Sequence, residues 1–340
     1  MGLNIMSQPL VTIVMSTYNG EKFIRGQLDS LIAQECEDWC LLIRDDGSSD
    51  GTIDVIANYE ASEERIRLVK DECGNLGPAR SFIHLLGQVR TSFFMCCDQD
   101  DVWLPHKVGE AVARLTGKGE LPALFFTDLV VVDGNLGVIA GSFMAHQNFD
   151  PRRASSLKGL LLQNVVVGCT MAGNRALLKL VREQSLASHR EMLMHDWWLA
   201  LLAAALGTIE YSSTPSILYR QHGGNSLGAP GSNLRRYVTM LLNSRPWERA
   251  SVYLCKVSVQ CSAFMRAYGS SLTEADFAAV ERVAGLVAAR SPIPLVGAFI
   301  AGISMNGLLR NIALALSVLI HPTWRNASFR PNVAIAKKNI

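Results

Sequence analysis

The chain has 340 residues, 49% apolar and 18% charged, a length that suits two or three ordinary domains and a composition that excludes wholesale disorder. Thirty-two basic against thirty acidic residues leave +2 overall, which excludes a basic sleeve for nucleic acid. The charge is uneven: from Ser232 onward thirteen Lys and Arg face four Asp and Glu, a surplus of nine that leaves residues 1–231 at −7, so chemistry is expected in front and an anionic surface or ligand behind.

In chain order, Val11 to Ser16 is a β-branched run that ends in the turn residues Thr17-Tyr18-Asn19-Gly20, so it reads as a buried strand and then a loop. Phe23, Ile24, Leu28, Leu31 and Ile32 follow at helical spacing. Leu41 to Ile43 is a second strand, stopped by Asp45-Asp46-Gly47-Ser48-Ser49-Asp50-Gly51, and Ile53 to Tyr59 a helix. Ile66 to Val69 is predicted as a strand, Pro78 to Val89 as a helix, and Ser92 to Cys97 as a strand ending at Asp98. Leu124 to Val132 reads as one further strand, a helix is expected to begin at Asn174-Arg175, and His195 to Leu206 forms another. Strands alternating with helices in short units predict an α/β fold with a mostly parallel sheet. Such sheets bind ligands at the carboxyl ends of their strands, where the polar clusters of this chain fall.

Ser226 to Ser232 reads as a linker, and the tail beyond it is helical in pattern. Ile293 to Leu309 is largely apolar but holds three glycines and Asn306. It reads first as a buried or hairpin helix, second as an interfacial helix, and least as a span, which needs ~20 apolar residues. The eight cysteines include no CxxC pair and no zinc spacing. The opening MGLNIMSQPL has neither the basic region nor the apolar core of a signal peptide, so a reducing, cytoplasmic setting is expected.

Five clusters carry candidate chemistry. Asp98-Gln99-Asp100-Asp101 places carboxylates at a strand tip, where they can share a hard cation such as Mg²⁺ or Mn²⁺. Asp101 before Trp103-Leu104-Pro105 also reads as a helix cap. Asp45 to Asp50 can accept the N–H of a base, or can be an ordinary Asp-Gly turn. Asn75-Leu76-Gly77-Pro78-Ala79-Arg80 puts Arg80 at a helix start, near a phosphate site or simply in solvent. His195-Asp196-Trp197-Trp198 joins a carboxylate to large rings, either as a base beside sugar-stacking platforms or as a cap with core anchors. Tyr219-Arg220-Gln221-His222 offers cations for a diphosphate and an imidazole for a metal.

In this order, over about residues 10–226, the clusters resemble a family 2 glycosyltransferase of the GT-A type. Val11 to Gly20 resembles the opening strand and nucleotide loop, and Arg44 to Gly51 the base-binding turn. Phe94 to Lys107 resembles the bacterial rhamnosyltransferase form of the metal motif, and Asn164–Met171, His195–Trp198 and Tyr219–Asn225 are similar to that branch too. Two departures stand out. No Gln-x-x-Arg-Trp string follows the base, which argues against a processive polysaccharide synthase, and Ser81 stands where the family often has Asn.

The resemblance implies a GT-A, Rossmann-like domain over 1–231, with a nucleotide-binding half at about 8–101 and an acceptor half at 102–231, followed by a helical, basic region at 232–340. It implies inverting transfer of a sugar, best L-rhamnose from dTDP-L-rhamnose, to a hydroxyl of a lipid-linked glycan in cell-surface polysaccharide synthesis. A UDP-hexose donor, or a binding module without turnover, are the alternatives. Asp196 is the implied base. Thr17, Tyr18, Asn19, Asp45, Asp46, Arg80, Asp98, Gln99, Trp103 and His222 are implied for the nucleotide sugar. Asp98, Asp100 and His222 are implied for Mg²⁺ or Mn²⁺, and Trp103, Trp197 and Trp198 for the sugar pocket. No nucleic acid is expected as a partner, and 232–340 is expected to hold the enzyme peripherally on the cytoplasmic face of a membrane.

Overall fold

The computed structural model describes residues 9–183, 191–222, 246–286 and 293–320. The chain divides into two compact units.

The first unit is built on a seven-stranded sheet. Its strands are β1 (Val11–Thr17), β2 (Trp39–Asp45), β3 (Ile66–Leu68), β4 (Phe93–Cys97), β6 (Ala123–Thr127), β9 (Ala172–Asn174) and β10 (Thr208–Ser212), in the order β10-β6-β9-β4-β1-β2-β3. The pairs β1–β2, β1–β4, β2–β3 and β6–β10 are parallel. β9 runs antiparallel between β4 and β6. Strands of parallel sheets are covered on both faces and read as continuous apolar runs. This is why Val11 to Met15 are all buried. Helices α1 (Ile24–Ile32), α2 (Thr52–Ser62) and α3 (Pro78–Gln88) link the early strands. Further on lie α4 (Lys107–Leu115), α7 (Arg175–Arg182) and α8 (His195–Leu206).

A second, four-stranded sheet has the order β5-β11-β7-β8, from β5 (Val102–Trp103), β7 (Val130–Val132), β8 (Val138–Ala140) and β11 (Ile217–Arg220). The expected single strand Leu124–Val132 is therefore two strands in two sheets. Asp128 separates them. Its carboxylate accepts the backbone N–H groups of Leu129, Phe143 and Met144 at 2.8, 3.0 and 3.2 Å. These bonds, with the Ser142 hydroxyl at 2.5 Å, hold the start of α5 (Phe143–Gln147). Asp101 does not cap a helix: Val102-Trp103 forms β5, and α4 begins only at Lys107.

The second unit takes Ser156–Gln163 together with the described residues 191–193, 246–286 and 293–320. It contains the short α6 (Leu157–Leu160), α9 (Pro246–Tyr268), α10 (Glu274–Ala284), α11 (Ile293–Ile300) and α12 (Leu308–Ile320). α9 packs on α10 and α12. Leu254, Val257, Cys261, Phe264 and Tyr268 recur at three and four residues and are buried, a helical face turned to its own core. The run Ile293–Leu309 is broken into α11 and the start of α12, and among the described residues no helix is long and apolar enough to cross a membrane. The eight cysteines are free thiols. The expected linker at 226–232 lies outside the described residues.

Candidate active site

Parallel pairing brings three strand ends together. Thr17 lies opposite Asp45, and Met15 opposite Cys97. The loops after β1, β2 and β4 therefore adjoin.

The loop after β2 is closed on itself. Asp45 accepts from Gly47 N–H at 3.0 Å, Ser48 N–H at 2.7 Å, the Ser48 hydroxyl at 2.5 Å and the Thr17 hydroxyl at 3.0 Å. Its carboxylate is occupied in shaping the turn, so any hold on a base runs through that turn. Asn19, at φ 49°, accepts from Ser49 N–H at 2.8 Å and donates its own N–H to Ser48 Oγ. Asp46 is buried and accepts Leu76 and Gly77 N–H groups, each at 2.7 Å, and the Arg44 guanidinium at 2.5 Å. Arg44, also buried, reaches Asp71 at 2.8 Å, and this charge-assisted pair holds the Asp71 carboxyl down to about 2.

The loop after β4 is built differently. Gln99 clamps the backbone of Tyr18 at both ends, accepting its N–H at 2.9 Å and donating to its carbonyl at 3.0 Å. Burial, with Asp100 and Asp196 nearby, pushes Asp98 up to about 7. Asp101 is fully buried. It accepts the Arg220 N–H at 3.1 Å, and burial with Asp100 and Asp98 raises its carboxyl well above the usual range. Ligand atoms of Asp98, Asp101 and Cys169 lie within 4.8 Å of one another. Burial raises the Cys169 thiol, which hydrogen-bonds these carboxylates. Asp101 turns inward, and Asp98 and Asp100 face a cavity. Asp100 contacts His222 Nε2 at 2.8 Å, and its carbonyl accepts from Arg220 Nε at 2.9 Å.

The opposite wall comes from α8 and from residues 164–168. α8 has no side-chain cap, and Asp196 stands in its first turn, where the exposed N–H groups favour an anion. The carboxylate also accepts N–H bonds from Gly168 and Trp197, yet burial dominates and raises it to about 6. His195 is 2% exposed and stacks on Phe82 at 4.0 Å. Among the described residues neither ring nitrogen has a hydrogen-bond partner, and burial drives the ring down to about 3, so it is neutral. A Cβ on Gly168 would stand 3.0 Å from His195 Nε2, a tight contact with the imidazole.

The cavity measures about 610 Å³, and Thr17, Tyr18, Asp46, Asp98, Gln99, Asp100 and Asp196 all line it. The other expected residues do not. Asn19 and Asp45 sit behind it in the turn. Arg80 is exposed and donates to the Leu76 carbonyl at 2.8 Å, bracing the loop before α3. His222 stands behind Asp100. Trp103 is a correction: β5 carries it into the hydrophobic core, with Lys107 Nζ 4.6 Å over its ring. Trp197 and Trp198 are also buried and line no part of the cavity.

Residues 12–180 match the family described as Glycosyl transferase family 2. The chain carries a glycosyl transferase family 2 domain. The transferase is similar to the dTDP-rhamnosyl transferase RfbG of Shigella flexneri, 27% identical over 248 residues, 70% of this chain and 82% of that one. It is also similar to the UDP-Glc:alpha-D-GlcNAc-diphosphoundecaprenol beta-1,3-glucosyltransferase WfgD of Escherichia coli, 29% identical over 51% of this chain and 63% of that one. Among solved structures, S. aureus TarS 1-349 in complex with UDP-GlcNAc superposes with a TM-score of 0.52 at 16% identity, over 79% of this chain and 70% of that one. The fold of the transferase is GT-A, with helices following it.

Sequence reasoning assigned no role to Arg44, Lys107, Cys169 or Gly168. Arg44 was visible as a charge inside an apolar strand. Lys107 is buried, and burial lowers it to about 8. Its partner Ser216, at 3.3 Å, is 109 residues away, and no local pattern marks that contact.

Proposed function

We propose that the enzyme moves a sugar from a nucleoside diphosphate sugar to a hydroxyl of a lipid-linked glycan by direct, inverting displacement. The observation that carries this reading is the pairing across one cavity of Asp98 and Asp100 with Asp196. Asp98 and Asp100 offer the carboxylate oxygens that Mg²⁺ or Mn²⁺ takes, and His222 backs Asp100. Two carboxylates lining one cavity, with the imidazole of His222 behind one of them, are a donor set that fits a hard divalent ion. When bound, the ion supplies positive charge to the diphosphate leaving group.

This chain's residues supply the rest. Tyr18, 53% exposed, and the turn shaped by Asp45 would hold the base, with Thr17, Asn19 and Asp46 in support. Asp196 would take the proton from the acceptor hydroxyl as that oxygen attacks the anomeric carbon. The leaving diphosphate needs no proton, so one base suffices. L-Rhamnose from dTDP-L-rhamnose is the favoured donor, because the similarity to RfbG runs through most of both chains. A UDP-hexose is the second reading, supported by the similarity to WfgD. The basic residues from Ser232 onward would hold the enzyme on the anionic cytoplasmic face of a membrane.

Isothermal titration with dTDP-rhamnose, UDP-galactose and UDP-N-acetylglucosamine, each with Mn²⁺ and with EDTA, tests the donor. Metal-dependent binding of one of them is expected. A folded protein that binds none would point to a module without turnover or to a donor outside this panel.

A further inference from the structure

Residues 282–340 hold seven Lys and Arg and no Asp or Glu. The described part of this stretch contains α11 and α12. On α11, Ile293, Val296 and Ile300 follow at i, i+3 and i+7 and are 75%, 51% and 83% exposed. Residues at that spacing share one side of a helix. Leu295 and Ala298, on the other side, are buried. The helix stops at Gly302, φ 81°, whose N–H donates to Phe299 O at 3.0 Å while Ile303 N–H donates to Ala298 O at 2.9 Å. A left-handed glycine with these two bonds is a specific helix ending, and it buries Ile303. On α12, Leu308, Ile312 and Leu316 follow at i, i+4 and i+8, and with Leu309 they are 43% to 74% exposed. Leu314, off that side, is buried.

Scattered apolar residues on a surface are ordinary, but an ordered apolar side exposed on each of two successive helices calls for a contact. The chemistry of the contact follows from charge. This stretch has Arg310 beside the exposed leucines and no acidic residue anywhere, so its complement is anionic as well as apolar. The helices have 8 and 13 residues, against the ~20 needed to cross hydrocarbon. Short helices with an exposed apolar side, in a stretch of the sequence that carries only basic charge, suit the plane of a bilayer interface.

We infer that α11 and α12 lie in the headgroup layer of an anionic bilayer, with Ile293, Val296, Ile300, Leu308, Ile312 and Leu316 turned into it and the basic surplus of the sequence from 282 onward favouring anionic lipid. This rests on the membrane contact proposed above and names the side chains that make it. The test is flotation of the full-length protein with phosphatidylcholine vesicles, alone and with phosphatidylglycerol, with light scattering and donor titration run beside it.

Flotation is expected with the anionic vesicles and is expected to fall as salt rises. Ile300→Asp with Leu308→Asp should weaken it by about tenfold or more while donor binding stays unchanged. Should the aspartate pair fail to fold, Ile300→Ser with Leu308→Ser must weaken flotation in the same direction. A wild-type chain that floats with neither vesicle overturns this inference and the membrane contact together. Variants that float like the wild type overturn the inference alone. Variants that turn a dimer into a monomer with flotation unchanged assign the surface to a second copy of the chain and also overturn it.

Discussion

Two acidic loops sit side by side at the carboxyl end of the same sheet, and they are opposites. After β2, Asp45 and Asp46 are saturated with hydrogen-bond donors from their own turn, from the loop at 76–77 and from Arg44. After β4, Asp98 and Asp101 are buried and stand beside other carboxylates, and both shift up. Asp196, across the cavity, is also raised. A carboxylate that is fully paired holds shape. A carboxylate that is starved of positive charge is ready for a cation or a proton. The same residue type thus builds the frame in one loop and the chemistry in the next.

The sharpest break of this contrast is Asp196→Asn. Removing a general base should lower kcat by about 10²–10⁴-fold, with donor affinity unchanged in titration. Loss of donor binding instead would move Asp196 to the frame. Arg44→Met attacks the other loop. It strands two carboxylates, one of them buried, and should cost about 3–5 kcal/mol in urea unfolding. A loss of less than about 1 kcal/mol would mean that solvent screens the Arg44 pairs as it does surface pairs.

His195→Phe probes the starved wall more gently. Among the described residues its two buried nitrogens have no partners, so the substitution should leave stability equal or raise it by about 1 kcal/mol. The ring lines the cavity, so the substitution should also lower kcat/KM by about tenfold. Unchanged kinetics would make the ring mere packing against Phe82.

The smallest effect concerns pH. Asp71 stands at about 2 when folded, against an ordinary 3.8. A depressed carboxyl contributes stability that is fully present above 3.8 and is lost as pH falls through 2. Asp71→Asn should therefore flatten the acid limb of the unfolding midpoint in that window. An unchanged limb would mean that the link to Arg44 adds nothing to folding.

Much of the frame was legible from local pattern. β1, β2 and β4 are short apolar runs cut off by Asp, Asn and Gly, and α8 begins and ends where its periodicity does. The clusters after β2 and β4 were visible for the same reason, because strand ends in such a sheet carry polar residues. What local pattern missed was the pairing. The family resemblance implied Trp103 for the sugar pocket, yet β5 pairs with β11 and carries the ring into the core. Asp128 read as the middle of a strand because nothing local shows that its carboxylate gathers the N–H groups of 143 and 144.

Sequence alone determined the first four strands and their acidic tips, since each depends on residues within about ten positions of one another, and the order of the polar clusters along the chain carried the family resemblance. Tertiary structure decided which carboxylates are paired and which are starved. Arg220 reaches Asp100 and Asp101 from 120 and 119 residues away, and Arg44 reaches Asp71 across 27. Whether a carboxylate is frame or chemistry depends on the donors and charges within a few ångströms, and folding brings those from anywhere in the chain.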